Sequence, residues 1–111
     1  MLPVEGYLLR IFIGENDRID GQFLYEWLVL KAKNHGLAGA TVLRGMMGFG
    51  AKSRIHTSKI LRLSEDLPIV VECVDKKEKL ESFLEIIDSV IKEGLVTLEK
   101  AEIRIYRAEK P

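Results

Sequence analysis

Gly39-Ala-Thr-Val-Leu-Arg-Gly-Met-Met-Gly-Phe-Gly-Ala-Lys-Ser-Arg-Ile-His-Thr57 begins as a strand and dissolves into a glycine-rich, basic loop. Gly45, Gly48 and Gly50 remove side chains where a ligand would approach the backbone, and Arg44, Lys52 and Arg54 place cationic donors on the same segment. Glycine permits unusual backbone angles and close approach. Cationic side chains and N–H groups bind anions. The combination suggests a site for a phosphate-bearing ligand. A solvated basic loop has the same composition, so the flanking sequence has to discriminate.

Upstream, Tyr7–Ile13 has the alternation of a strand, with Tyr7, Leu9, Ile11 and Ile13 on one face and Leu8 and Phe12 on the other. Gly14–Gly21 is a polar turn in which Asp20 is placed to cap a helix, with Ile19 and Leu24 as a hydrophobic staple. Phe23, Leu24, Trp27, Leu28 and Leu30 follow helical spacing, and Gly36 is placed to end that helix. Ala40–Leu43 begins a second strand. Gly45–Leu67 has no clean period and is expected to hold a long loop or protruding hairpin, often a functional feature in a compact domain.

Downstream, Pro68–Val74 is a third strand, interrupted by Glu72. Asp75 and Glu78 have the spacing of a capping box. Leu80, Phe83, Leu84, Ile87, Val90 and Ile91 form a helical stripe that Gly94 closes. A last strand is expected over about Glu102–Arg107, where Ile103 and Ile105 alternate with Arg104 and Tyr106; Val96–Leu98 adds a short piece. The order is β-α-β, long loop, β-α-β. It predicts an α+β fold: a single ferredoxin-like βαββαβ domain over residues 1–111, an antiparallel sheet with two helices on one face. Strands one and three are apolar on both sides, whereas a sheet with one wet face alternates. The second face is therefore expected to be buried by other subunits.

The 111 residues carry 17 basic and 17 acidic side chains, a formal charge of zero. No general attraction to nucleic acid or an anionic membrane follows, so an anion site must be local. Many Lys and Glu beside three amides, Asn16, Gln22 and Asn34, is a bias of heat-adapted proteins. The single Cys73 lies in an apolar run and is expected to be a buried, inert thiol. One Cys and two separated histidines, His35 and His56, lack metal-site spacing, so no structural metal is expected. The Met-Leu-Pro-Val-Glu start lacks the pattern of a secretory signal, and no apolar run has spanning length, so a cytoplasmic protein without membrane insertion is expected.

Among candidate site residues, His35 suits a helix C-terminus, and His56 lies in the loop near Lys52 and Arg54. Glu72 is either an edge position or an ion-pair partner, or else a carboxylate facing a ligand cleft. Arg104 and Arg107 suit phosphate oxygens or are solvated charges at a strand end. The loop lacks the Gly-Lys-Ser/Thr ending of a P-loop, and no G-x-G-x-x-G follows a strand. Ser53, Thr57 and Ser58 have no base placed beside them by the sequence.

Gly-Leu-Ala-Gly-Ala-Thr-Val-Leu-Arg-Gly at 36–45, Gly-Phe-Gly at 48–50 and Ile-His-Thr at 55–57 together resemble the PII-like domain-of-unknown-function family one-ninety. Leu-Pro-Ile-Val-Val-Glu at 67–72 and Ala-Glu-Ile-Arg-Ile-Tyr-Arg at 101–107 extend the likeness along nearly the whole chain. That family resembles the PII signalling proteins, ferredoxin-like homotrimers that bind ATP or ADP between subunits and engage a protein target through a mobile T-loop. The resemblance implies a T-loop-like segment at about 44–60. It also implies an adenine-nucleotide site drawn from Arg44, Gly45, Gly48, Phe49, Gly50, Lys52, His56, Glu72, Arg104 and Arg107. Magnesium is compatible with such a ligand. No tyrosine lies between Arg44 and Leu67, so the uridylylation of PII T-loops is not expected. Gly94–Lys100 has one glycine where PII proteins carry a glycine-rich phosphate grip. The function implied is a non-catalytic sensor. A structural or metal-related trimer of the divalent-cation-tolerance type and a slow nucleotide hydrolase are the alternatives.

Overall fold

The computed structural model describes residues 5–49, the backbone of 56–57, and residues 66–109. Four strands form one sheet: β1 (Glu5–Gly14), β4 (Thr41–Arg44), β7 (Pro68–Asp75) and β8 (Leu95–Glu102), in the order β4-β7-β1-β8. Every neighbouring pair is antiparallel. Helices α1 (Leu24–Asn34) and α2 (Lys77–Ile87) make the two crossovers. Two short pairs, β2 (Arg18–Ile19) with β3 (Gln22–Phe23) and β5 (Met47–Gly48) with β6 (His56–Thr57), sit outside the main sheet. This is the expected βαββαβ antiparallel architecture.

Both helices cover the same side of the sheet. Leu24, Leu28 and Ala32 of α1 and Leu80, Phe83 and Ile87 of α2 pack on Leu9, Ile11, Ile13, Ile69, Val71 and Cys73. A large apolar side chain contributes about 1.5–3 kcal/mol when fully buried. The first helix ends as its glycine requires. Gly36 has φ +83°, and its N–H reaches the Lys33 carbonyl while Leu37 N–H reaches the Ala32 carbonyl. This is a Schellman closure with Leu37 buried beneath it.

Three local expectations are corrected. Asp20 does not cap α1. It and Gly21 have φ of +47° and +82° and form the two-residue tip of the β2–β3 hairpin; such a turn suits Asp-Gly, and its twist matches the strands. The helix starts later, at Leu24, without a side-chain cap. Asp75 does not cap α2 either. That helix begins after Lys76, and the Asp75 carboxylate turns instead to Ala38 N–H at 2.9 Å and Lys76 N–H at 2.7 Å. The final strand is Leu95–Glu102, not Glu102–Arg107. Its register pairs Leu95 with Phe12 and Glu102 with Glu5. The β1 ladder ends there, and the alternating residues beyond it have no strand partner among the described residues.

Candidate functional site

Strand periodicity sorts the main sheet into two faces. Leu9, Ile11 and Ile13 of β1 point to the helices, so Leu8, Arg10 and Phe12 point away from them. The register then sets cross-strand rows on the open face. Leu95, Phe12, Val70 and Leu43 form one apolar row; Leu8 and Val74 belong to another. Between them runs Thr97, Arg10, Glu72 and Thr41. Arg10 Nε donates to Glu72 Oε2 at 2.9 Å, and its Nη1 donates to Glu99 Oε1 at 2.6 Å. The two carboxylates hold the Arg10 guanidinium above its usual pKa, the hydrogen bond to Glu72 contributing most.

A cleft of about 590 Å³ lies at the Leu8–Val74 end of this face. That volume is in the range of small-molecule sites. Its floor is the sheet, with Leu8, Thr41, Glu72 and Val74; its sides are the 38–40 loop and the segment after β8. Two hydrogen bonds set those sides. Asp75 holds Ala38 by its N–H, and Tyr106 Oη donates to the Ala38 carbonyl at 2.8 Å. Ile103 packs against Gly6, where a Cβ would meet its side chain at 2.6 Å. Leaving β8, the chain thus passes over the end of β1 and is tied to the loop before β4.

The expected site residues fall into separate groups. Glu72 and Arg104 both line the cleft, and Arg104 also pairs with Glu102 at 3.0 Å. Gly45 and Gly48 lie at the other end of β4, around Pro68. Gly45 N–H donates to the Pro68 carbonyl at 2.7 Å, and a Cβ on Gly45 or Gly48 would approach the proline ring to 2.8 or 3.1 Å. Arg44 reaches Glu15 at 2.9 Å, and Phe49 is exposed. The His56 backbone pairs with Gly48. Arg107 is exposed in the irregular segment after β8. Gly50 and Lys52 lie outside the described residues. His35 ends α1 as expected, beside Phe83. Cys73 is buried, and desolvation, with the Asp75 charge second, pushes its thiol up to about 11. No group of three metal-ligating side chains occurs among the described residues, and none of their helices is long and apolar enough to cross a membrane.

Sequence reasoning missed Arg10, Thr41, Asp75 and Tyr106. A signal for Arg10 was present: it is the one charge between Tyr7 and Ile13, as Glu72 is between Ile69 and Val74. Opposite charges centred on two apolar strands mark a cross-strand pair.

Comparison with known proteins agrees with this architecture. A UPF0166 protein of Aquifex aeolicus is 42% identical over 103 residues, covering 93% of this chain and 97% of that protein. A UPF0166 protein of Methanocaldococcus jannaschii is 32% identical over 107 residues, covering 96% of each. Among solved structures, CPII, a nitrogen regulatory PII-like protein from Thiomonas intermedia bound to ADP, AMP and bicarbonate, superposes with a TM-score of 0.70. The match covers 91% of this chain and 90% of CPII, at 14% identity. A putative PII-like signalling protein from Thermus thermophilus gives a TM-score of 0.66 at 18% identity, covering 94% of each chain. At such identities the likeness establishes the fold, which is PII-like. The family model for DUF190, described as Uncharacterized ACR, COG1993, matches residues 6–103, and the chain belongs to that family.

Proposed function

We propose that the protein is a non-catalytic PII-like sensor, a homotrimer that binds an adenine nucleotide in clefts between subunits and signals to a protein target through its 44–60 loop. The observation that carries this reading is the cleft on the helix-free face of the sheet. It joins an apolar floor to Glu72 and Arg104, and it opens on the face whose apolar rows a neighbouring subunit would cover. Structural neighbours of the same fold are bound to ADP and AMP. Cations on the loop and the C-terminal segment are the candidates for phosphate contacts, Arg44, Lys52, His56, Arg104 and Arg107, with Gly50 as the loop glycine left for close approach of the ligand, since Gly45 and Gly48 are packed on Pro68. Phe49 is exposed and available to ligand or target.

Nucleotide contacts that order a loop act as a switch only if the ligand binds the two loop states with different affinity. Isothermal calorimetry with ATP, ADP and AMP, with molar mass by light scattering on the same sample, tests the reading. Micromolar binding near one ligand per subunit of a trimer is expected. Arg44→Ala and Lys52→Ala are expected to weaken binding without unfolding the protein. A trimer that binds none of the three refutes the sensor function.

A further inference from the structure

The base compartment of the cleft can be assigned from its donors and acceptors; this assignment rests on the nucleotide reading above. Leu8 and Val74 in the floor and Ile103 at the side give the cleft apolar surfaces suited to a planar ring. Glu72 stands among them, where its charge repels a phosphate but accepts from an N–H. Its cross-strand neighbour Thr41 also lines the cleft and brings a hydroxyl. Arg10 Nε occupies Glu72 Oε2, while Oε1 has no hydrogen-bond partner among the described residues. The fork of Arg10 is held on its other side by Glu99, so the guanidinium cannot turn away from Glu72 without breaking a second charged pair.

We infer that Glu72 reads the exocyclic amino group of an adenine ring through one carboxylate oxygen, and that Arg10 is the positioning residue that makes it a single acceptor. The distinction separates purines by their edges. Adenine offers an amino donor beside a ring-nitrogen acceptor, which a single carboxylate oxygen and a hydroxyl complement. Guanine offers two donors side by side, N1–H and the 2-amino group, which a carboxylate with both oxygens available would clamp. Hypoxanthine places an oxo group where the amino group was, against a carboxylate oxygen. A site that pairs with a polar group rejects the analogue that lacks it, because a group that the bound ring covers is then left unpaired.

The test is a set of calorimetric affinities for ADP, IDP, GDP and N6,N6-dimethyl-ADP. Wild type is expected to bind ADP about tenfold or more tightly than each of the other three, as for a lost hydrogen bond to a charged group. The dimethyl analogue needs no variant and so does not depend on a mutant folding. In Glu72→Gln the ADP-to-IDP ratio is expected to fall toward one, because an amide both accepts and donates. In Arg10→Met the ADP-to-GDP ratio is expected to fall at least about threefold, since both Glu72 oxygens become available to clamp guanine. Loss of a positive charge weakens every nucleotide alike, so the ratio isolates the positioning role. Equal wild-type affinity for ADP, IDP and dimethyl-ADP overturns the inference but leaves nucleotide sensing intact. Ratios unmoved by Glu72→Gln and Arg10→Met also overturn it. Absence of binding by all four, with ATP and AMP also unbound, overturns both readings.

Discussion

The two faces of one sheet are built from alternate residues of the same strands, yet they have different compositions. The helix-covered face of β1 and β7 is Leu9, Ile11, Ile13, Ile69, Val71 and Cys73, all buried and without a charge until Asp75 at its end. The other face interleaves apolar rows with the Arg10–Glu72 pair and opens into a cleft. A core face is specified by volume and apolarity alone, because anything polar there needs a partner. The open face instead keeps an ordered ion pair among its apolar rows. On the proposed reading, folding is assigned to one side of the sheet and binding to the other.

The contrast breaks most easily at Phe83. It is fully buried, and Phe83→Ala is expected to cost about 3–5 kcal/mol by urea unfolding. Phe12→Ala, on the open face, is expected to cost less than half as much, measured at concentrations where light scattering gives the monomer mass. Equal costs would mean that the two faces are energetically alike.

Cys73 gives the next effect. Its folded pKa, about 11, is raised from 9.0, so the folded state holds the proton more tightly. The contribution is fully present below about pH 9 and is lost as pH rises through about 11. The loss is on the order of 2 kcal/mol. The pH dependence of the unfolding midpoint between those limits should flatten in Cys73→Ala, and iodoacetamide should label the native thiol slowly near neutral pH. A thiol that reacts at the rate of the unfolded protein would contradict the dry face.

The open face is sharpened by Val70→Asp, at the centre of an apolar row. Its expected effect is on the proposed assembly: light scattering should find the trimer for the wild type and not for the variant, while circular dichroism keeps the α+β signature. A trimer that survives the charge does not use this face. The smallest effect is at Glu99→Gln. That pair is well exposed, with the Glu99 side chain at 56%, and exposed pairs contribute little to folding. No measurable shift in the unfolding midpoint is expected. A large shift would place Arg10 in the folding core, not in recognition.

The helical stripe from Leu80 to Ile87, the strand alternation of β1 and β7, Gly36 as helix terminator and the two-sided apolarity of the sheet were legible because each is a local period or a backbone requirement; the expected continuation of the helix through Val90 and Ile91 to Gly94 was not found, since α2 ends at Ile87. The block from Gly36 to Thr57 was legible as a family pattern, which is how the glycine loop came to dominate the expected site. The structure divides that set. Gly45 and Gly48 are spent on close approach to Pro68, whereas Glu72 and Arg104 meet in the cleft with residues that carried no motif. Asp75 shows why. Its spacing to Glu78 is that of a cap, but its carboxylate goes to a loop 37 residues away, and sequence spacing is blind to such a contact.

By itself, then, the sequence determined the order of elements, the face that would be dry, the absence of a general charge attraction and membership in a family. These depend on period, composition and similarity, which are properties of neighbours along the chain. Tertiary structure alone decided the register that puts Arg10 against Glu72, the end of β8 at Glu102, and the tie from Tyr106 to Ala38 that walls the cleft. Those are meetings of residues 62 to 68 positions apart or limits set by where a partner strand stops. Only packing, which satisfies every buried donor and apolar surface at once, can choose among them.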